Sequence, residues 1–274
     1  MSSDSISHGA EKSEEQHRRD ICTVGRWIHD RGFVASTDGN ISIRLRPDRV
    51  LVSPTCISKG MMTPGDLVVT DLEGKRICGS RKVSSEIAMH LLIYRLRPDV
   101  NAVCHAHPPT ATGFAAAGMA LDKPILCELI VTLGHVPLAG YGTPGTRELS
   151  DALEPFVANH DAILMANHGV VTYGPDLLTA FMRMETTEHF ARVALVTELL
   201  GKQKLLSTAE LEKLVAARAQ YAAASNAPAA GLNNGSAPAD FSERVSLTRR
   251  ELDSLIEEAV RRDRARRRAK TVDR

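Results

Sequence analysis

The chain has 274 residues, 43% hydrophobic and 24% charged, with a formal net charge of +1. That is an ordinary globular composition, long enough to bury a sizeable core as one large domain, or as one domain with an appendage. The near-zero charge gives no reason to expect nucleic acid as a partner, and no apolar run reaches the ~18 residues of a membrane-spanning helix.

Residues 1–10 read as a disordered N-terminus, polar and charged, with no apolar core of the kind a secretory signal needs. From about Glu11 to Asp30, the residues Ile21, Val24, Trp27 and Ile28 recur at helical spacing, and Gly32 is placed to end the helix. The turn-rich loop Thr37-Asp38-Gly39-Asn40 precedes ISIRL, whose alternation predicts a strand; Val50 to Ser53 is its expected partner. Ser53-Pro54-Thr55-Cys56 is a second small, polar loop. Leu67 to Thr70 predicts a short strand and Asp71 to Gly74 a turn. Ser84-Ser85 opens a helix with Ile87, Leu91 and Tyr94 on one face and Glu86 in its first turn; Pro98 stops it.

The run NAVCHAHP at Asn101–Pro108 predicts a strand, and a helix follows from Pro108 to Gly118. Strand-like segments are expected near Ile125 and Val136. Thr146 is placed to cap a helix to about Ala158. Ile163 to Met165 and Val170 to Tyr173 predict strands around His168. Helices are expected over 175–200, with Pro175 in the first turn, and over 208–224. The interleaving predicts an α/β fold, three layers with a mixed, largely antiparallel sheet between helices. Five scattered cysteines without a C-x-x-C pair argue for a reducing, cytoplasmic compartment.

Residues 11–224 therefore read as one domain and 225–244, rich in Ala, Pro, Gly and Asn, as a flexible linker. Residues 245–270 predict an amphipathic tail helix. Thr248 to Glu251 fits a capping box, and Leu252, Leu255, Ile256, Ala259 and Val260 form one apolar stripe. Residues 241–274 carry eleven Lys/Arg against seven Asp/Glu, a net +4. A short stripe on a long tether needs a surface to dock on, either its own body or a partner.

The chemistry centres on His105 and His107. Residues two apart on a strand point to the same side, so both imidazoles aim together. Alone, such a pair is more often ordinary packing. His168, which ends a second apolar run, offers a third nitrogen, and a catalytic zinc site commonly takes three protein ligands. On local evidence Ser84 reads as a cap and Glu86 as an acid favoured by the helix dipole. The same small loops also suit a phosphate, although no Walker or dinucleotide loop is present. His90, His135, His160 and His189 read as structural, surface or supporting residues, and Glu185 and Glu188 as ordinary polar contacts on a helix face.

In order and spacing, T-x-G-N-I-S-I-R, S-P-T-x, S-S-E-x-x-x-H, H-x-H, G-T-x-E/R-L and N-H-G resemble the class II aldolase/epimerase family over roughly residues 15–220. The resemblance implies zinc, one per subunit, on His105, His107 and His168, with Glu86 as catalytic acid/base. It implies phosphate contacts at Asn40, Thr55, Ser84, Ser85 and Thr37. It further implies cleavage of L-fuculose 1-phosphate or L-rhamnulose 1-phosphate to dihydroxyacetone phosphate and L-lactaldehyde, in a homotetramer. Epimerase members resemble this chain but have Asp in place of Glu86, which favours the aldolase. A 4-epimerase, a metal-dependent decarboxylase and a non-catalytic adducin-type scaffold are the alternatives. Glu86 is expected to have a carboxyl pKa raised by partial burial. There are departures: Cys56 stands where glycine is usual, and the tyrosine expected after the metal strand is replaced by the region of Cys127 and Glu128. Tyr221 is the candidate for a C-terminal tyrosine that reaches a neighbour's site. The linker and tail resemble encapsulation peptides, which implies a bacterial microcompartment shell protein as partner and the compartment interior as location.

Overall fold

The structure, a computed structural model, describes residues 12–225. The readings of 1–10 as disordered, of the linker and of the tail helix fall on residues outside those described. In chain order the elements are α1 (Glu14–Asp30), β1 (Asn40–Arg46), β2 (Arg49–Val52), β3 (Val68–Thr70), β4 (Arg76–Cys78), α2 (Ile87–Leu96), β5 (Ala102–Ala106), α3 (Pro109–Ala116), α4 (Cys127–Thr132), β6 (Leu138–Ala139), α5 (Arg147–Val157), β7 (Ala162–Met165), β8 (Gly169–Gly174), α6 (Leu177–Leu199) and α7 (Thr208–Ser225).

The strands form one sheet in the order β4-β3-β2-β1-β5-β8-β7-β6. Every neighbouring pair is antiparallel except β6 with β7. Alternation along the strands decides which side chain meets which helix layer. Ile41, Ile43, Ala102, Cys104 and Val170 belong to the core shared with α1, α3 and α6. Val103, Ile163, Val171 and Tyr173 belong to the core shared with α2 and α5. Both faces of β5 and β8 are thus covered, which is why their sequences read as nearly unbroken apolar runs. The α/β three-layer class is as expected.

Several boundaries differ from the sequence reading, each for a local reason. α1 starts at Glu14 because Ser13 and Gln16 form a reciprocal capping box. α6 starts after Asp176, whose carboxylate accepts from the Thr179 N–H at 2.8 Å, so Pro175 lies outside the helix. Thr146 does precede α5, but its hydroxyl donates to the Thr143 carbonyl rather than capping. The segment after Ile125 is the helix α4, not a strand. Its β-branched residues suggested extension, yet Leu129 and Leu133 are buried at a helical interval and α4 packs on α6 and α7. Near Val136 the extended backbone makes only an isolated bridge to Leu121 before β6. The exposed edge strand β4 carried no apolar alternation to announce it.

Candidate metal centre

Three strand ends build the site. In the β1–β5 pairing Asn40 lies opposite His105, and in the β5–β8 pairing His105 lies opposite Val171. His107 follows β5 directly and His168 directly precedes β8. The imidazoles of His105, His107 and His168 meet with ring centroids 4.9, 4.8 and 5.1 Å apart. Glycine and asparagine make this approach possible. Asn167 takes the left-handed turn at φ 56°. A Cβ on Gly169 would sit 2.5 Å from His107 Cδ2, so that glycine provides room for His107 rather than a turn.

The donor chemistry fits a divalent transition metal. His105 Nδ1 lies 2.9 Å from the Val170 carbonyl, which only accepts, so Nδ1 carries a hydrogen and Nε2 is the nitrogen turned inward, a lone-pair donor when the imidazole is neutral. His107 Nε2 is 3.2 Å from that Nε2. Candidate ligand atoms of the three histidines all lie within 4.8 Å of one another. Glu86 stands over them, Oε1 3.1 Å from His168 Nε2 and Oε2 3.3 Å from His105 Nε2. Glu86 Oε1 is buried and makes no hydrogen bond within the protein, and the same holds for His168 Nδ1. Imidazole nitrogens backed by one carboxylate suit zinc and its first-row neighbours better than calcium or magnesium.

The charges in this cluster hold one another. Burial pushes the Glu86 carboxyl up, but the His105 and His168 imidazoles outweigh it and hold it well below the usual carboxylate range. This reverses the raised pKa expected from burial alone. Burial also pulls His105 down, and Glu86 more than offsets it, so His105 is raised. His107 is lowered to about 3 by burial, then by His105 and His168.

The small loops gather beside this cluster. Pro54 bridges to Val83, and the Thr55 N–H donates to the Lys82 carbonyl, which brings the Ser53–Cys56 loop next to Ser84 and Ser85. Ser84 is buried and its hydroxyl accepts from the Glu86 N–H at 3.3 Å, while Ser85 is exposed. Glu86 is itself the N-cap of α2, not a residue of its first turn, so its carboxylate is free to face the histidines. Thr37 is exposed on the first loop. Asn40 is buried with its amide engaged on both sides, by Glu86 and by His90, so only one N–H remains for an outside ligand. Cys56 adopts φ 57°, a conformation that favours glycine. Cys127 and Glu128 are exposed at the start of α4. Tyr221 lies on α7 where side-chain surroundings are outside the described residues.

Two contributors escaped the sequence reading. Lys59 is 1% exposed, and its Nζ donates to the carbonyls of Thr37 at 2.9 Å and Ile57 at 2.8 Å, tying the first two loops together. Burial lowers its ammonium to about 8 against the pull of Asp38, Cys56 and Glu86. Asp38 Oδ2 lies 3.5 Å from His107 Nδ1. A lone lysine among turn residues looks solvated in sequence, and only the packing shows otherwise; Asp38 stays exposed and contributes by its position beside His107. A cavity of about 570 Å³ lies among Arg44, Arg46, Asn101 and Asp176, at the opposite ends of these strands, and holds none of His105, His107 and His168.

Comparison with known proteins agrees with this geometry. Residues 19–195 match the model of the class II aldolase and adducin N-terminal domain. A 5-deoxy-D-ribulose 1-phosphate aldolase of Bacillus thuringiensis serovar kurstaki is 37% identical over 202 residues, covering 73% of this chain and 94% of that protein. A 3-oxo-tetronate 4-phosphate decarboxylase of Haemophilus influenzae is 33% identical over 175 residues, covering 62% of this chain and 82% of that protein. A solved L-fuculose 1-phosphate aldolase superposes with a TM-score of 0.69 at 28% identity, covering 76% of this chain and 97% of that one. The chain belongs to the class II aldolase and adducin N-terminal domain family, and within it is a metal-dependent lyase.

Proposed function

We propose that the enzyme uses zinc, one ion per subunit, to cleave a deoxyketose 1-phosphate between C3 and C4. Dihydroxyacetone phosphate is one product. The other is L-lactaldehyde from L-fuculose or L-rhamnulose 1-phosphate, or acetaldehyde from a five-carbon 5-deoxyketose phosphate. The observation that carries this reading is the meeting of three imidazoles with the unsatisfied Glu86 oxygen beside three small-residue loops. The relatives named for aldolase activity support it.

His105, His107 and His168 would hold the ion as neutral donors and leave it most of its charge. When bound, it supplies Lewis acidity to the substrate oxygens at C2 and C3. Glu86 takes the proton released as the C4 hydroxyl becomes an aldehyde, and a proton returns from Glu86 to C3, so the carboxylate ends the cycle ionised as it began. Thr55, Ser84, Ser85 and the free N–H of Asn40 would grip the phosphate, with Thr37 at the rim and Cys56 narrowing the loop. Binding there orients the distant C3–C4 bond. Tyr221 is assigned to a neighbour's site within a homotetramer, for which the exposed Leu195, Val196, Leu199 and Leu200 offer an apolar surface. The cargo-peptide reading of the tail, and with it a microcompartment location in the cytoplasm, rests on residues 245–270 by sequence alone.

The test is a coupled assay for dihydroxyacetone phosphate from L-fuculose, L-rhamnulose and 5-deoxy-D-ribulose 1-phosphates, with and without chelator. Chelator-sensitive release from at least one is expected. No release from any, in protein carrying one metal per chain, overturns the aldolase. Carbon dioxide from 3-oxo-tetronate 4-phosphate would then move the assignment to the decarboxylase named among the relatives.

A further inference from the structure

Behind Glu86, Asn40 opens a buried polar chain whose further members, His90, Ser42 and Tyr94, the reaction does not touch. Asn40 Nδ2 is 2.7 Å from Glu86 Oε2. Asn40 Oδ1 is 2.5 Å from His90 Nε2. His90 Nδ1 is 2.6 Å from Ser42 Oγ, and Ser42 Oγ is 2.7 Å from the Tyr94 hydroxyl. Asn40, Ser42, His90 and Tyr94 are all buried, and Glu86 nearly so.

The chain forms because two periodicities agree. Asn40 and Ser42 are two apart on β1 and share a face. Glu86, His90 and Tyr94 are spaced by four along α2 and share a face. Two strand residues rise about 6.8 Å and four helical residues about 6 Å, so strand and helix stay in step over both rungs.

With His90 neutral, only one arrangement of hydrogens satisfies every bond. An ionised carboxylate accepts only, so the Asn40 NH2 donates to Glu86 and Oδ1 faces His90. Oδ1 also accepts only, so His90 must carry its hydrogen on Nε2. Its Nδ1 then accepts from the Ser42 hydroxyl, and Ser42 Oγ accepts from Tyr94 O–H. Reversing the Asn40 amide would set an oxygen against the Glu86 carboxylate and break the His90 bond as well.

We propose that His90, Ser42 and Tyr94 are positioning residues that lock the Asn40 amide with its NH2 toward Glu86. This holds one Glu86 oxygen and leaves the other facing His168 and the substrate. The inference rests on the reading of Glu86 as the proton-handling group. It goes beyond that reading by assigning a direction to each bond and a tautomer to His90.

The first test is the His90 tautomer in the intact, metal-loaded protein, by long-range nitrogen–proton NMR on 15N-histidine-labelled material. The Nε2–H form is expected, and the Nδ1–H form overturns the proposal whatever the kinetics show. The wild-type spectrum needs no variant to fold. The second test compares His90→Leu with His90→Gln on whichever of the three sugar phosphates turns over. Glutamine can donate to Asn40 and accept from Ser42, whereas leucine only fills space. His90→Leu is expected to lower kcat by about 10²-fold, a displacement-sized effect, with KM changed by less than about threefold, and His90→Gln to recover most of the loss. Equal losses in both variants, or none in His90→Leu, overturn the proposal. The double variant Glu86→Gln/His90→Leu should be no slower than Glu86→Gln alone if His90 acts through Glu86, and additive losses overturn that coupling. A Glu86→Gln enzyme with full turnover would instead sink the role of Glu86 and leave the tautomer result standing, so the two failures are distinguishable.

Discussion

Two buried acids on helices face opposite fates. Glu188 on α6 is 1% exposed and fully engaged. It accepts from the N–H groups of Thr110 at 3.1 Å and Ala111 at 2.9 Å, and from Arg192 Nε at 2.8 Å. It caps the open end of α3 and so secures the helix that leaves His107. Glu86 at the head of α2 is 9% exposed, yet one oxygen makes no hydrogen bond and both lie beside imidazoles. A buried acid whose lone pairs are all used is holding structure. One with an unused oxygen at the mouth of a cluster retains free energy for a ligand or a proton. Glu188, expected from sequence to make ordinary face contacts, belongs to the first kind. Glu185, paired with Arg31 at 2.5 Å on the surface, is the ordinary one.

Exchange of each acid should give opposite phenotypes. Glu86→Gln is expected to lower kcat by roughly 10²- to 10⁴-fold while metal content and the thermal midpoint stay near wild type. Turnover and metal-to-protein ratio check this together, and full activity sinks the role. Glu188→Ala should do the reverse. Losing the cap leaves two helix N–H groups unpaired and costs about 1–3 kcal/mol of stability, with kcat per folded molecule little changed. Denaturant unfolding measures it, and an unmoved midpoint would place Glu188 outside the structural class.

The neutral histidine behind Glu86 supplies a pH signature. Burial, then His105, lowers His90 to about 3. Its folded pKa is thus below the unfolded value near 6.5. Between pH 6.5 and 3 the unfolded chain takes up a proton that the native chain refuses. Stability from this group is therefore complete above pH 6.5 and lost as pH falls, at up to about 1.4 kcal/mol per pH unit. Chelated wild-type protein should show a steeper acid decline than chelated His90→Gln. Parallel curves would mean that the histidine is solvated. The smallest effect is expected at Cys56. Its φ of 57° strains any residue with a Cβ, so Cys56→Gly should raise stability by about 1 kcal/mol, and a thermal midpoint that falls would show the thiol to be making a compensating contact.

Much of the site was legible because its signals are short-range. The strand alternation that aims His105 and His107 together needs only two residues, and the order of motifs around Glu86 and His168 sufficed for the family. Other features are long-range and have no local signature. CELIVT could be strand or helix until it packed as α4 against α6 and α7 with Leu129 buried. Lys59 looks like any solvated lysine until two carbonyls from different loops close on its Nζ. The low carboxyl pKa of Glu86 depends on imidazoles brought from β5 and from before β8, where burial alone argued the other way. Sequence by itself determined which chemical groups are present and which local faces they share. Tertiary structure decided which lone pairs are spent on the protein and which remain, because hydrogen bonds and desolvation depend on neighbours that are distant along the chain.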